Sequence, residues 1–324
     1  ARLPILGEGG SGVVYAAELE GQPIALKVLR PEVELEDREL RRFVEEAGRM
    51  RRVAHPALVP LLDVGVLVDG RPYIAMPRLA GRSLSQRLAE AGALDPARAL
   101  CLFSQIAQAA SALHHAGLVH RDIKPENVLW LEGEEQLVLL DLGIAREADA
   151  GPSTTTKAGM MRGTPAYMAP ERFFGKPASV ATDVYELALL YFMMVVGRLP
   201  WDPDDPRGRM APKRAEDLGV SLPGQLSEVL TEALAVDFER RPGSAEELLG
   251  RLTGALDPAQ RTPAAAASPA YVITPPRPGP SRAPEGIGEL VTEISPPKPF
   301  FADTLASASA SPGQLPAPPD KARS

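Results

Sequence analysis

The stretch His120–Trp130, HRDIKPENVLW, gathers a histidine, four charged side chains and an asparagine, and the apolar run LVLLDLG follows soon after. Taken alone, a polar run of this kind reads as a solvated surface turn. Its surroundings point further. A short strand VLW, a polar turn EGEE and a second strand LVLL ending in Asp141 make a hairpin that returns Asp141 to the side of Asn127. An amide oxygen and a carboxylate oxygen are hard donors. They suit Mg²⁺, which takes few protein ligands and completes its shell with other oxygens, phosphate among them. Asp122 would then stand nearby as acceptor for a hydroxyl proton, with Lys124 as a point charge toward a transferred phosphate. A solvated turn requires none of these downstream matches.

Two upstream features fit the same chemistry. GEGGSGVVY carries Gly7, Gly9 and Gly12 in a G-x-G-x-x-G-x-V frame. In a dinucleotide-binding fold the third glycine opens a helix. Here Val13, Val14 and Tyr15 follow, and such residues favour strand. A glycine loop between two strands can fold over a polyphosphate, because its backbone N–H groups approach closely. Val14 would wall the base. Lys27 lies in the apolar strand IALKVL, where a buried ammonium needs an anionic partner. If Phe43, Ala47 and Met50 mark the inward stripe of the next helix, Glu46 shares their face and Glu45 does not. Glu46 is therefore the carboxylate expected to reach Lys27.

These residues need elements to hold them. VVYAAEL and PIALKVL read as strands joined by a hairpin at EGQ, and LVPLLDVGVL and RPYIAMPRL as further strands. The charged run Glu32–Ala54 has helical period. After Gly81 helices dominate: SLSQRLAEAG, PARALCLFSQIAQAASALHHAG, TDVYELALLYFMMVVG, LSEVLTEALAV and SAEELLGRL. The order predicts a small sheet-rich lobe followed by a larger helical one, with the site between them.

Composition narrows the options. The 324 residues supply ample core, and a formal net charge of −7 argues against a dedicated nucleic-acid binder. The single cysteine, Cys101, allows no intrachain disulfide, and a reducing, cytoplasmic setting is expected. The most apolar run, Leu187–Gly197, is too short to span a bilayer. Beyond Asp257 the sequence turns rich in Pro, Ala and Ser: 15 of the 34 prolines fall in residues 257–324, the density of a disordered tail rather than a packed domain.

In order and spacing, these pieces resemble the eukaryotic-like (Hanks-type) serine/threonine protein kinase family. The resemblance rests on the glycine loop, the A-x-K strand at Ala25–Lys27, Glu46, HRDIKPEN, DLG at Asp141–Gly143, GTPAYMAPE at Gly163–Glu171, TDVYELA at Thr182–Ala188 and RRP at Arg240–Pro242. It implies an α+β, bilobal kinase fold in residues 1–256, with a small lobe at 1–76, a hinge at 77–81 and a large lobe at 82–256. It implies ATP as cosubstrate with Mg²⁺, or Mn²⁺, and protein serine/threonine hydroxyls as acceptors. Lys27 would hold the α/β-phosphates and pair with Glu46; Asp122 would be the base, and Asn127 and Asp141 the metal ligands. The nucleotide would meet Gly7, Glu8, Gly9, Gly10, Ser11, Gly12, Val14, Ala25, Leu129, the gatekeeper Met76, and Pro77 and Leu79 of the hinge. Leu142, standing where the family has phenylalanine, would pack between Met50 and His120. Glu171 would pair with Arg241, and Thr164 with Lys124 would form the serine/threonine platform. Arg121 marks a member whose activation segment is ordered by phosphate, on Thr156 first, with Thr154 and Thr155 as alternatives. Autophosphorylation in trans implies a transient homodimer. The Ala-, Arg- and Pro-rich composition suggests a bacterial member. The alternative is a kinase-fold scaffold without turnover, whose mark would be loss of Lys27, Asp122, Asn127 or Asp141; all four are present.

Overall fold

A computed structural model describes residues 3–9, 12–29, 37–141, 165–203, 205 and 208–256. A five-stranded antiparallel sheet comes first. Its strands are β1 (Ile5–Glu8), β2 (Gly12–Leu19), β3 (Gln22–Leu29), β4 (Asp63–Val66) and β5 (Pro72–Pro77), in the order β1-β2-β3-β5-β4. The β2–β3 turn is two residues, Glu20 and Gly21, both at positive φ. That geometry matches the twist of a tight hairpin. Register sets Val14 opposite Lys27 and Lys27 opposite Ile74. Alternation then divides β3 between two apolar faces. Ala25 and Leu29 pack with Phe43, Ala47 and Met50 of helix α1 (Asp37–Met50), while Ile24, Leu26 and Val28 join Tyr15 and Tyr73 on the other side. One strand expectation was too long. Pro60 has no N–H to give a ladder, so only Asp63–Val66 of the LVPLLDVGVL run is strand. The preceding residues instead clamp onto the later hairpin, Val59 N donating to Leu139 O at 3.0 Å and Leu139 N to Ala57 O at 2.8 Å.

The second part is mainly helical. A small sheet of β6 (Gly81–Ser83), β7 (Val128–Leu131) and β8 (Leu137–Leu139) is joined by α2 (Leu84–Ala91), α3 (Pro96–His115), α4 (Pro170–Phe173), α5 (Val180–Val196), α6 (Leu226–Ala233) and α7 (Ala245–Ala255). Local signals set the ends. Ser83 and Gln86 form a capping box on α2, Asp95 accepts from Ala97 N and Arg98 N before Pro96-initiated α3, and Ser244 caps α7. In α5, 14 of 17 residues are buried, so the helix is apolar all round and sits at the centre, against α3 and α7. Its two acidic residues, Asp183 and Glu186, must therefore find partners inside the protein.

One buried ion pair ties the start of α4 to the segment after α6. Arg241 grips Glu171 with two parallel bonds, 3.0 and 2.8 Å, and Thr182 Oγ1 donates to the same carboxylate at 2.9 Å. Burial pushes the Glu171 carboxyl up, but the Arg241 guanidinium and the Thr182 hydroxyl outweigh it and hold it below its ordinary value. A depressed carboxylate stabilises the fold above its unfolded pKa and loses that contribution as pH falls through the folded value. Arg241→Leu should cost about 3–5 kcal/mol in urea unfolding at neutral pH, because it strands a buried carboxylate. The deficit relative to wild type should shrink in acid; a cost below about 1 kcal/mol at pH 7 would show the pair is replaceable.

Candidate active site

The loop His120–Lys124 is held from below by α5. Asp183 Oδ2 accepts from His120 N at 2.7 Å and Oδ1 from Arg121 N at 2.8 Å. Glu186 Oε2 accepts from Ile123 N at 2.7 Å. His114, at the end of α3, reaches Asp183 Oδ2 through Nε2 at 2.8 Å. From the side, the His120 ring donates from Nε2 to Leu140 O at 3.0 Å, and Nδ1 accepts from Asp122 N at 3.4 Å. Acceptance at Nδ1 requires a neutral ring with its proton on Nε2, and burial holds the His120 pKa down. Arg121 sits at φ +71°, a left-handed conformation costing a non-glycine residue about 1–3 kcal/mol. The surrounding bonds over-determine it.

On this platform three expected residues meet. Asp122 Oδ2 accepts from Lys124 Nζ and from Asn127 Nδ2, each at 2.9 Å, and Asn127 Nδ2 also donates to Asp122 O at 2.8 Å. Turning its amide nitrogen to Asp122 fixes the Asn127 carbonyl oxygen as the outward acceptor. Leu140 N donates to Asn127 O at 2.7 Å, so the hairpin returns the chain to Asn127, just ahead of β7, one residue before Asp141, as its length implied. Asn127 and Asp141 thus offer a carbonyl and a carboxylate, the hard oxygen set that fits Mg²⁺.

The ion pairs differ from expectation. Lys27 is buried, 5% exposed, and its ammonium bonds to Asp141 Oδ1. Glu46 lies on the inward face of α1, also 5% exposed, but pairs with Arg121 Nη1 at 2.9 Å. The expected Lys27–Glu46 pair is absent from this structure. The stripe argument placed Glu46 correctly and left Glu45 exposed. What it did not weigh was a second cation, Arg121, entering the same cleft from the loop. Asp141 itself is at φ +54°, which an aspartate tolerates better than most residues.

The nucleotide face is lined as the register requires. Met76 stands opposite Ala25 and Pro77 opposite Ile24. Val14, Leu79 and Leu129 are partly buried against the core around Met76. Gly7 and Glu8 pair with Val14 and Val13, and Gly9 N donates to Gly12 O at 2.9 Å, closing the loop between β1 and β2. A Cβ on Gly12 would strike the Val28 carbonyl, so that position requires glycine. Gly10, Ser11, Leu142, Thr154, Thr155, Thr156 and Thr164 lie outside the described residues. Among the described residues no group of three or more His, Cys, Asp or Glu is placed to hold a metal, and no helix is long and apolar enough to cross a membrane. Asp183, Glu186 and His114 escaped the sequence argument. The signal was available for two of them, since Asp183 and Glu186 are charges in an otherwise apolar helix.

Comparison with known proteins agrees with this fold. The family model "Protein kinase domain" matches residues 1–252. The chain is 36% identical over 294 residues to "Serine/threonine-protein kinase pkn2" of Myxococcus xanthus, covering 86% of this chain and 35% of that protein. It is 33% identical over 262 residues to "Serine/threonine-protein kinase PkaB" of Streptomyces coelicolor, covering 76% of this chain and 61% of that one. The crystal structure of the Mycobacterium tuberculosis PknI kinase domain superposes with a TM-score of 0.64 at 30% identity, covering 77% of this chain and 93% of that chain. The chain belongs to the protein kinase domain family, with the bilobal α+β fold and bacterial relatives. It spans about a third to a half of the length of the curated Myxococcus relatives it matches.

The ion-pair arrangement can be tested in the nucleotide-free, dephosphorylated protein. A double-mutant cycle on Glu46→Gln and Arg121→Met should give a coupling of about 0.5–3 kcal/mol in urea unfolding. The cycle on Glu46→Gln and Lys27→Met should give close to none. The opposite order would restore the Lys27–Glu46 pairing.

Proposed function

We propose that this chain transfers the γ-phosphoryl group of ATP to serine and threonine hydroxyls of proteins, including its own activation segment. The observation that carries the reading is the Asp122–Lys124–Asn127 set, hydrogen-bonded together and held beside the Lys27–Asp141 pair. Asp122 accepts the proton of the acceptor hydroxyl. Lys124, 2.9 Å from Asp122, holds positive charge where the transferred group accumulates negative charge. Lys27 binds phosphate oxygens, which offer an alternative to the carboxylate it holds in this structure. Asn127 and Asp141 would hold Mg²⁺, or Mn²⁺, which takes the same hard donors and would neutralise phosphate charge when bound. Met76, Pro77, Leu79, Val14, Ala25 and Leu129 form the adenine slot. The rest is positioning. All four residues whose loss would mark a scaffold without turnover are present, which favours an active enzyme. The names of the bacterial relatives support the serine/threonine class, and Lys124 with Thr164 the same preference. A cytoplasmic location and a transient homodimer for trans-phosphorylation complete the reading.

Asp141→Asn should abolish phosphoryl transfer and weaken ATP binding in Mg²⁺ more than ATP binding in EDTA. Nucleotide titrations under both conditions check this. Equal weakening in both would remove Asp141 from the metal-ligand role.

Activation follows from Arg121. A phosphate on Thr156, Thr154 or Thr155 adds about −1.5 to −2 charges and strong acceptors that a guanidinium binds bidentately. It would compete with Glu46 for Arg121. Phosphatase-treated protein should begin slowly and accelerate with a lag that shortens as enzyme concentration rises. Replacing all three threonines with alanine should remove the acceleration; a triple variant indistinguishable from wild type would leave Arg121 with a structural task alone.

A further inference from the structure

Asp183 and Glu186 stand three residues apart on α5, so one helical face carries both. Asp183 is fully buried and Glu186 is 4% exposed. Together they take three of the four consecutive backbone N–H groups from His120 to Ile123. Asp183 holds the two before the proposed base, and Glu186 holds the one immediately after it, at 2.7 Å. The fourth, that of Asp122 itself, is left to the longer bond to His120. Asp122 is thus pinned between two carboxylates of one rigid helix. Ile123 is 1% exposed, so its N–H has no water to turn to if Glu186 withdraws. The upstream anchors cannot replace this contact, because both Asp183 oxygens are already occupied by His120, Arg121 and His114.

We infer that Glu186 is a positioning residue: its carboxylate fixes the backbone on the downstream side of Asp122 and so sets where the base carboxylate points. Asp122 is then held from both sides while Arg121 keeps a strained backbone angle. Glu186 acts on Asp122 through the Ile123 N–H. This rests on the assignment of Asp122 as the base.

Two variants separate acceptor from charge. Glu186→Gln keeps a carbonyl oxygen at the same reach and loses the charge. Glu186→Asp keeps the charge and withdraws it by one methylene. With the purified full chain, saturating ATP and dephosphorylated casein as acceptor, Glu186→Gln should retain kcat within about threefold. Glu186→Asp should lose about 10²-fold, the scale of an ångström of misplacement. The KM for ATP should stay within about twofold in both, and amide exchange at Ile123 should accelerate in the Asp variant only. If the Asp variant matches or exceeds the Gln variant, or loses kcat and ATP affinity alike, the inference fails. A Gln variant down more than about tenfold overturns it without reference to the Asp protein. Asp122→Asn, assayed in parallel, keeps the two readings apart. Wild-type turnover in that variant removes the base assignment. An inactive Asp122→Asn protein with normal ATP affinity, beside a failed Glu186 ordering, removes only the positioning role.

Discussion

Of the four successive backbone N–H groups from His120 to Ile123, those of His120 and Ile123 are buried and those of Arg121 and Asp122 half-buried, so water is largely denied to them. Every such donor needs an acceptor or costs about as much as a lost hydrogen bond. The fold answers with carboxylates from the most buried helix it has. That choice has consequences in both directions. The loop donors and His114 give Asp183 and Glu186 partners inside α5's apolar surroundings. The loop can hold a left-handed Arg121 only because those carboxylates hold its neighbours. Helix and loop thus stabilise each other. A helix packed on α3 and α7 is also among the stiffest supports the fold could offer, so the geometry around Asp122 inherits the rigidity of the core.

Above the loop the constraint is charge. Lys27, Glu46, Arg121 and Asp141 meet in one cleft, two cations and two anions, and at least three of them are largely withdrawn from solvent. Isolated burial of any one would be prohibitive. The structure pairs them as Lys27 with Asp141 and Arg121 with Glu46. Such a quartet is neutral in either pairing, so the charge count does not select one. Distances and the direction of each side chain do.

Much of this was legible beforehand. Period placed Glu46 on the inner stripe of α1, β-branched residues after Gly12 called for strand rather than helix, and hairpin length returned Asp141 to Asn127. Each of those inferences concerns neighbours along one element or one turn. What the sequence concealed was which long-range partner would win. Nothing in the spacing of Glu46 reveals that Arg121, 75 positions away, lies within 2.9 Å while Lys27 turns to Asp141. The anchors under the loop were half visible. TDVYELA is conspicuous for acids in an apolar helix, but the donors that need them are backbone atoms, and side-chain patterns do not display backbone atoms. The LVPLLDVGVL strand was overextended because apolar runs are ambiguous at their ends, where Pro60 and a clamp onto β8 decided the matter.

The quartet bears on the proposed function through what an added anion would do to it. In this cleft Lys27 and Arg121 each hold a carboxylate, so a phosphate arriving at either competes with it. A nucleotide phosphate at Lys27 would free Asp141, and Asp141 is the carboxylate proposed to hold the metal. A phosphate at Arg121 would free Glu46, and Glu46 sits on the face of α1 turned toward Lys27 and could then support it. Each incoming negative charge is thus matched by a carboxylate made available where the proposed chemistry needs one. In this pairing the four charges balance, and on the proposed mechanism the metal ligand and the lysine support become available as phosphates claim the cations. The proposed proton transfer at Asp122 lies outside this exchange. The backbone on either side of Asp122 is anchored by α5, so the proposed base is held separately from the charges around it.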